Sequence, residues 1–141
     1  MSKTAQPMKE AVVLAVGSEL LTAHKLDTNS LFLTERLNEF GISIRYKAVI
    51  GDHKSDLATA ISDAIQRADL VIVTGGLGPT DDDVTRAAVA MAFGVLLKED
   101  ESVTASIRSL FEVRGLNMPD VNQRQALVPE GGQVLENTQG T

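Results

Sequence analysis

The sequence contains no cysteine and no tryptophan. The first absence excludes disulfides, zinc–thiolate and iron–sulfur sites, and a thiol nucleophile. Histidine is scarce: His24 and His53 cannot close a zinc site by themselves. Aromatic residues make up 4% of the chain, which leaves little surface for stacking a ring system. Basic residues are in deficit, 13 Lys+Arg against 19 Asp+Glu for a net charge of -6. No basic face for nucleic acid or for an anionic membrane is therefore expected. No apolar run approaches the roughly 20 residues of a membrane span. The opening MSKTAQPMKE also lacks the apolar stretch of a signal peptide. The expectation is a cytoplasmic protein whose residues 1–9 form a flexible tail.

What is present is an ordinary globular composition, 43% apolar and 23% charged over 141 residues. That suits a single domain, placed here at 10–141. The final Gln139-Gly-Thr141 reads as mid-loop sequence, so the domain is expected to be C-terminally incomplete. Ala11 to Val16 is apolar on both faces, as in a buried parallel strand. Asp27 or Thr28 can cap a helix carrying Leu31, Leu33, Leu37 and Phe40, which Gly41 stops. Ile42 to Ile50 alternates, and the spacing puts Ile42, Ile44, Tyr46, Ala48 and Ile50 on one face of a strand. Ser55 can cap a helix with Leu57, Ala58, Ile61, Ala64, Ile65 and Ala68 at helical spacing. Leu70 to Val73 is a second apolar strand. A Gly-rich segment follows, then an Ala-rich helix from about Asp83 to Phe93. Another helix runs from Asp100 to Arg114, a short helical stretch covers Asp120 to Ala126, and strand and turn cover Leu127 to Leu135. Alternation of this kind predicts a three-layer α/β/α sandwich with a mostly parallel sheet and right-handed crossovers.

Open α/β sheets bind ligands beyond the strand C-termini, where the strand order reverses. With the order 2-1-3, the loops meeting there are Gly17–Leu26 and Thr74–Asp83. The second reads Thr74-Gly-Gly-Leu-Gly-Pro-Thr-Asp-Asp-Asp-Val-Thr85. Its glycines let the backbone approach a ligand, and the next helix adds partial positive charge, which together make a phosphate or pyrophosphate cradle. Neither a Gly-Lys-Ser/Thr nor a GxGxxG pattern is present. Of Asp81, Asp82 and Asp83, one can hold a divalent cation or its water; all three can equally be helix-start residues favoured by capping and the macrodipole. Glu19, at the tip of the first strand, either faces Asp83 to share a metal or divide acid and base roles, or is a solvated loop residue. Asp52 is a third carboxylate at a strand end, or a turn residue before Ser55. His24 lies in the crevice loop, and His53 reads as a solvated loop residue. Arg124, among the amides of Asn122-Gln-Arg-Gln-Ala126, is either a phosphate clamp or part of an exposed polar face.

The segments Gly17-Ser-Glu-Leu-Leu21 with Asp27-Thr-Asn29, and Thr74-Gly-Gly-Leu-Gly-Pro-Thr80 with Asp83 and Thr85, resemble the molybdopterin-binding (MoCF) domain family. Asn122-Gln-Arg-Gln-Ala-Leu127 resembles a third motif, of the branch formed by the N-terminal domains of competence/damage-inducible (CinA) proteins. The resemblance covers about Ala11 to Thr141. It implies hydrolysis of the ADP-ribose pyrophosphate to AMP and ribose 5-phosphate, with a divalent metal such as magnesium, and potassium. For the MogA and MoaB relatives it implies molybdopterin binding or adenylylation. Asp52 and Asp83 match the functional carboxylates of those relatives, and Glu19 the acidic residue of the first motif. On this reading Gly75, Gly76, Gly78, Thr80, Asn29 and Arg124 bind phosphate or nucleotide. Asp83 and Glu19 hold the metal, and Asp52, Asp83 and Glu19 are the catalytic set. A nucleotide or pterin ligand and a homo-oligomer, dimer or trimer, are the implied partners; a non-catalytic nucleotide-binding or oligomerisation module is a further reading. The sequence departs from the family pattern at Ala23, where glycine is usual, and a methyl there would alter the loop if its φ were positive. No deamidase activity is expected of these 141 residues.

Overall fold

A computed structural model describes residues 7–137; the expected end within Gln139-Gly-Thr141, and most of the expected tail, lie outside them. The elements run β1 (Glu10–Val16), α1 (Thr28–Glu39), β2 (Ser43–Ile50), α2 (Lys54–Ile65), β3 (Leu70–Thr74), α3 (Thr85–Phe93), β4 (Leu97–Glu99), α4 (Glu101–Val113) and β5 (Leu127–Pro129). Short 3-10 segments at Ser18–Leu21 and Asp120–Ala126 complete them. The fold engages the chain from Lys9, whose N–H donates to Asp69 Oδ2 at 2.9 Å and whose carbonyl accepts from Ser43 N–H at 2.9 Å.

The central sheet has the order β2-β1-β3, and both pairings are parallel. β1 is the middle strand, and Ala11 to Ala15 are completely buried. Its side chains divide by parity: Val12, Leu14 and Val16 pack with Leu57, Ala58, Ile61, Ala64 and Ala88 of α2 and α3. Ala11 and Val13 pack with Leu37 of α1 on the opposite face. The three layers are thus α1, the sheet, and α2 with α3. Truncating Leu14 to alanine is expected to cost about 2–5 kcal/mol, because this site is enclosed from both flanks. β3 is as apolar as β1, yet each of its residues is half-buried, because it pairs on one side and forms an edge.

Two expectations are corrected. Ile42 and Ile44 do not share a face with Tyr46, Ala48 and Ile50. Ala11 pairs with Ile44 but Val12 pairs with Tyr46, so Arg45 is the extra residue of a bulge. The bulge reverses the strand's facing: Ile42 and Ile44 pack on the α1 side, the other three on the α2/α3 side. Arg45 is left to pair with Glu10 Oε2 at 2.8 Å. In α1, Leu33 and Leu37 face the sheet, whereas Leu31 and Phe40 point to solvent, 60% and 77% exposed. The helix meets the sheet along a stripe narrower than its apolar content predicts.

Two smaller differences sit at helix starts. The α2 N-cap is His53 rather than Ser55. α3 begins at Thr85, because residues before it form the end of the Gly-rich turn. Beyond α3, β4 pairs antiparallel with β5 in a separate two-stranded sheet. β4 has no strand signal of its own, since three residues are too few to show a period.

Candidate functional site at the carboxyl edge of the sheet

The carboxyl ends of β1, β2 and β3 deliver three loops to one edge. The β1 and β2 loops are tied to each other. Gly17 N–H donates to Ile50 O at 3.0 Å. Ser18 N–H donates to Asp52 Oδ2 at 3.0 Å, and Asp52 N–H returns to Ser18 Oγ at 3.0 Å. One carboxylate oxygen of Asp52 is therefore engaged in a reciprocal clasp. Glu19 is exposed; its carboxylate folds back over Gly17 and pairs with Lys25 Nζ at 3.6 Å. Asp27, not Thr28, caps α1, accepting from Ser30 N–H at 3.0 Å and from the Ser30 hydroxyl. Asn29 is exposed in the first turn of α1, and His24 is exposed in the loop before it. No described residue other than glycine has a positive φ, so Ala23 carries its methyl without backbone strain.

The Gly-rich loop after β3 is built differently. Gly75 and Gly76 have φ of 89° and 61°. A side chain at Gly75 would collide with the Val16 carbonyl, and one at Gly76 with the Thr85 hydroxyl. Only glycine permits both the left-handed turn and this approach to the end of β1. From there the loop's carbonyls turn back onto the first turn of α3. Gly75 O accepts from Thr85 Oγ1 at 2.7 Å, and Gly76 O from Thr85 N–H at 3.1 Å. Leu77 O and Gly78 O accept from the Arg86 guanidinium at 2.6 and 2.5 Å.

In a planar trans peptide the N–H points opposite to the carbonyl of the preceding residue. Fixing Gly75 O and Gly76 O on α3 therefore aims the N–H groups of Gly76 and Leu77 away from the helix. The next plane supplies Gly78 N–H, which turns to the Asp83 carboxylate, and the one after ends in Pro79, which has no N–H to leave unpaired.

Asp83 is the loop's second fastening. Its Oδ2 accepts from Thr80 N–H at 2.9 Å and Thr80 Oγ1 at 2.8 Å. Burial pushes its pKa up, but the Thr80 and Gly78 hydrogen bonds and the Arg86 charge outweigh that, holding the carboxyl below its ordinary value. Burial lowers the Arg86 pKa, and Asp83 opposes that shift.

Arg124 reaches the loop from the 3-10 segment Asp120–Ala126, pairing with Asp81 Oδ1 at 2.5 Å. The structure therefore brings Asp52 to the first loop, and Asp83, Thr80 and Arg124 to the second. It leaves Glu19 and Asn29 exposed at the periphery. Asp82 is exposed. Among the described residues no group of three or more His, Asp and Glu side chains is placed to hold a metal ion. Glu19 is paired with Lys25, and Asp83 with Thr80.

Ser18 and Thr85 enter the sequence reading only as members of the family motifs, and Arg86 lies outside them. A signal for Arg86 was nevertheless present: a cation in the first turn of a helix opposes the macrodipole and needs a compensating partner. The carbonyls of Leu77 and Gly78 supply it.

The family model described as "Probable molybdopterin binding domain" matches residues 12–134. A CinA-like protein of Koribacter versatilis is 46% identical over 131 residues, covering 93% of this chain and 32% of its own length. The chain thus spans about a third of that relative's length. The solved structure of CinA from Thermoplasma acidophilum superposes with a TM-score of 0.87 at 32% identity, covering 94% of this chain and 78% of that one. A molybdopterin biosynthesis protein from Mycobacterium abscessus superposes with a TM-score of 0.55 at 25% identity, over 86% of this chain and 78% of its own. With the fold, the Gly-rich loop and the relatives in agreement, the chain belongs to the molybdopterin-binding domain family, in its CinA-like branch.

Proposed function

We propose that this domain binds the pyrophosphate of a nucleotide at the carboxyl edge of the sheet and hydrolyses it, converting ADP-ribose to AMP and ribose 5-phosphate. The observation that carries the reading is the loop Gly75–Thr80, whose carbonyls are fastened to α3 while the Gly76 and Leu77 amides stay free to donate. Two successive free backbone amides facing the same way suit a phosphate oxygen. In this reading Gly75, Gly76 and Gly78 shape the contact with one phosphoryl group, and Thr80 and Asn29 flank it. Asp52, at the neighbouring strand end, receives the proton of a water that attacks phosphorus, and the P–O bond to the departing phosphate breaks. Arg124 leaves Asp81 for the charge that gathers on that phosphate. The divalent ion, magnesium or similar, comes as part of the metal–nucleotide substrate, with potassium as a counter-ion; Asp83 and Glu19 are the carboxylates proposed to meet it.

The test is incubation with ADP-ribose, magnesium and potassium, with AMP followed by chromatography. AMP from the wild type, together with at least a hundredfold loss in Asp52→Asn, is the expected result. No AMP from the wild type overturns the hydrolytic reading.

Molybdopterin binding is the second reading, favoured by the family description and by the Mycobacterium abscessus neighbour. It uses the same amides for the pterin's phosphate. Saturable molybdopterin binding without AMP formation would select it.

A further inference from the structure

We infer that Arg86 is a positioning residue for anion binding at the Gly-rich loop, acting through the loop backbone without touching the ligand. The inference rests on the phosphate-cradle reading of that loop. The Arg86 guanidinium bridges two successive carbonyls of the loop, Leu77 O and Gly78 O, at 2.6 and 2.5 Å. A planar guanidinium fork suits two such acceptors, and a lysine ammonium cannot reproduce its geometry. Thr85 fixes the two preceding carbonyls through its hydroxyl and its N–H. Four consecutive carbonyls are thus drawn to one helix turn, and the Gly76 and Leu77 amides face the opposite way.

Thr85 alone anchors only the first half of that arc. The second half, Leu77 to Gly78, has Arg86 and the Asp83 carboxylate as its fastenings. Without the guanidinium the Leu77 and Gly78 carbonyls lose their donor, and Leu77, whose N–H is one of the two free amides, is held only through the plane that Thr85 fixes before it. The cation adds a second effect: it offsets the negative ends of the gathered carbonyls directly behind the site where an anion would sit.

The test uses the 141-residue chain with inorganic pyrophosphate as probe. Calorimetry over a salt series is combined with amide relaxation for residues 75–80, in wild type, Arg86→Gln and Arg86→Lys. Arg67→Gln, which breaks an exposed pair with Asp63, is the control. Arg86→Gln should bind pyrophosphate about tenfold or more weakly, with mobile Gly76 and Leu77 amides. Arg86→Lys should recover the salt dependence and only part of the affinity, since it restores charge without the fork. A purely structural role predicts instead a lower unfolding temperature with affinity and loop order unchanged in the folded variant. If the wild type binds and Arg86→Gln binds within twofold, the inference is overturned. Failure of the wild type to bind overturns the phosphate-cradle reading itself. The amide relaxation then decides the role of Arg86: loop mobility confined to Arg86→Gln supports the clamp, and unchanged loop order rejects it. Should Arg86→Gln not fold, Arg86→Lys carries both measurements.

Discussion

The two crevice loops solve the same problem in opposite ways. The loop after β3 is fastened along its length by its own Asp83 and by the first turn of α3: Asp83, Thr85 and Arg86 engage Gly75, Gly76, Leu77, Gly78 and Thr80. The loop after β1 is held at its root by the Ser18–Asp52 clasp, and beyond it by an exposed Glu19–Lys25 pair. The first arrangement fixes backbone donors in space before any ligand arrives, which lowers the ordering cost of binding. The second leaves side chains able to move. A rigid cradle faced by an adaptable flank is what a site needs if it is to hold a phosphate firmly and accommodate what is attached to it.

The largest expected effect comes from breaking the rigid side at its tightest point. Gly75→Ala places a methyl against the Val16 carbonyl in a left-handed conformation. It should destabilise the fold by about 2 kcal/mol or more in urea titration and abolish pyrophosphate binding. Thr85→Val is next. Thr85 is buried, and its loss leaves Gly75 O without a donor, so a cost of about 1–3 kcal/mol is expected by the same titration.

The third effect depends on pH. The folded Asp83 pKa lies below its unfolded value, so its contribution is complete above the unfolded pKa of about 3.9. That contribution is lost as pH falls through the lower, folded value. Protection of the Gly78 and Thr80 amides, taken relative to their intrinsic exchange rates at each pH, should therefore fall below about pH 4 in the wild type and show no such step in Asp83→Asn. A fall in both would place the acid sensitivity elsewhere.

The smallest effect belongs to the adaptable loop. Lys25→Ala removes an exposed pair and should change stability by less than about 1 kcal/mol. A larger loss would show that this loop is fastened as firmly as its neighbour and would dissolve the contrast.

Much of the fold was legible because periodicity reports burial. The all-apolar Ala11 to Val16 predicts a strand covered on both faces, and Gly41 the stop of α1, and both are found. The facing of β2 was not legible, since a bulge at Arg45 leaves the alternation of residue types intact while reversing which layer each one meets. Leu31 and Phe40 misled for a related reason: spacing defines a stripe, but the neighbouring layer decides how much of it is covered.

At the site, the glycines and the acidic residues stand out in the sequence because their residue types are unusual there. Arg86 does not, and Ser18 and Thr85 stand out only as members of a motif, with no contact implied. Their importance comes from what they touch, and a hydrogen bond to a backbone carbonyl leaves no mark on composition.

The sequence by itself determined the α/β alternation, the buried central strand, the absence of thiol and zinc–thiolate chemistry, and the place of the Gly-rich turn. Each of these is a property of residue type and short-range spacing. The tertiary structure decided which carbonyls the first turn of α3 captures, and so which amides remain free. It also decided that Asp83 fastens its own loop, that Asp52 clasps Ser18, and that Arg124 reaches Asp81 from 43 residues away. Those are contacts between segments distant in sequence or turned by local backbone angles, and only the packed chain sets their distances.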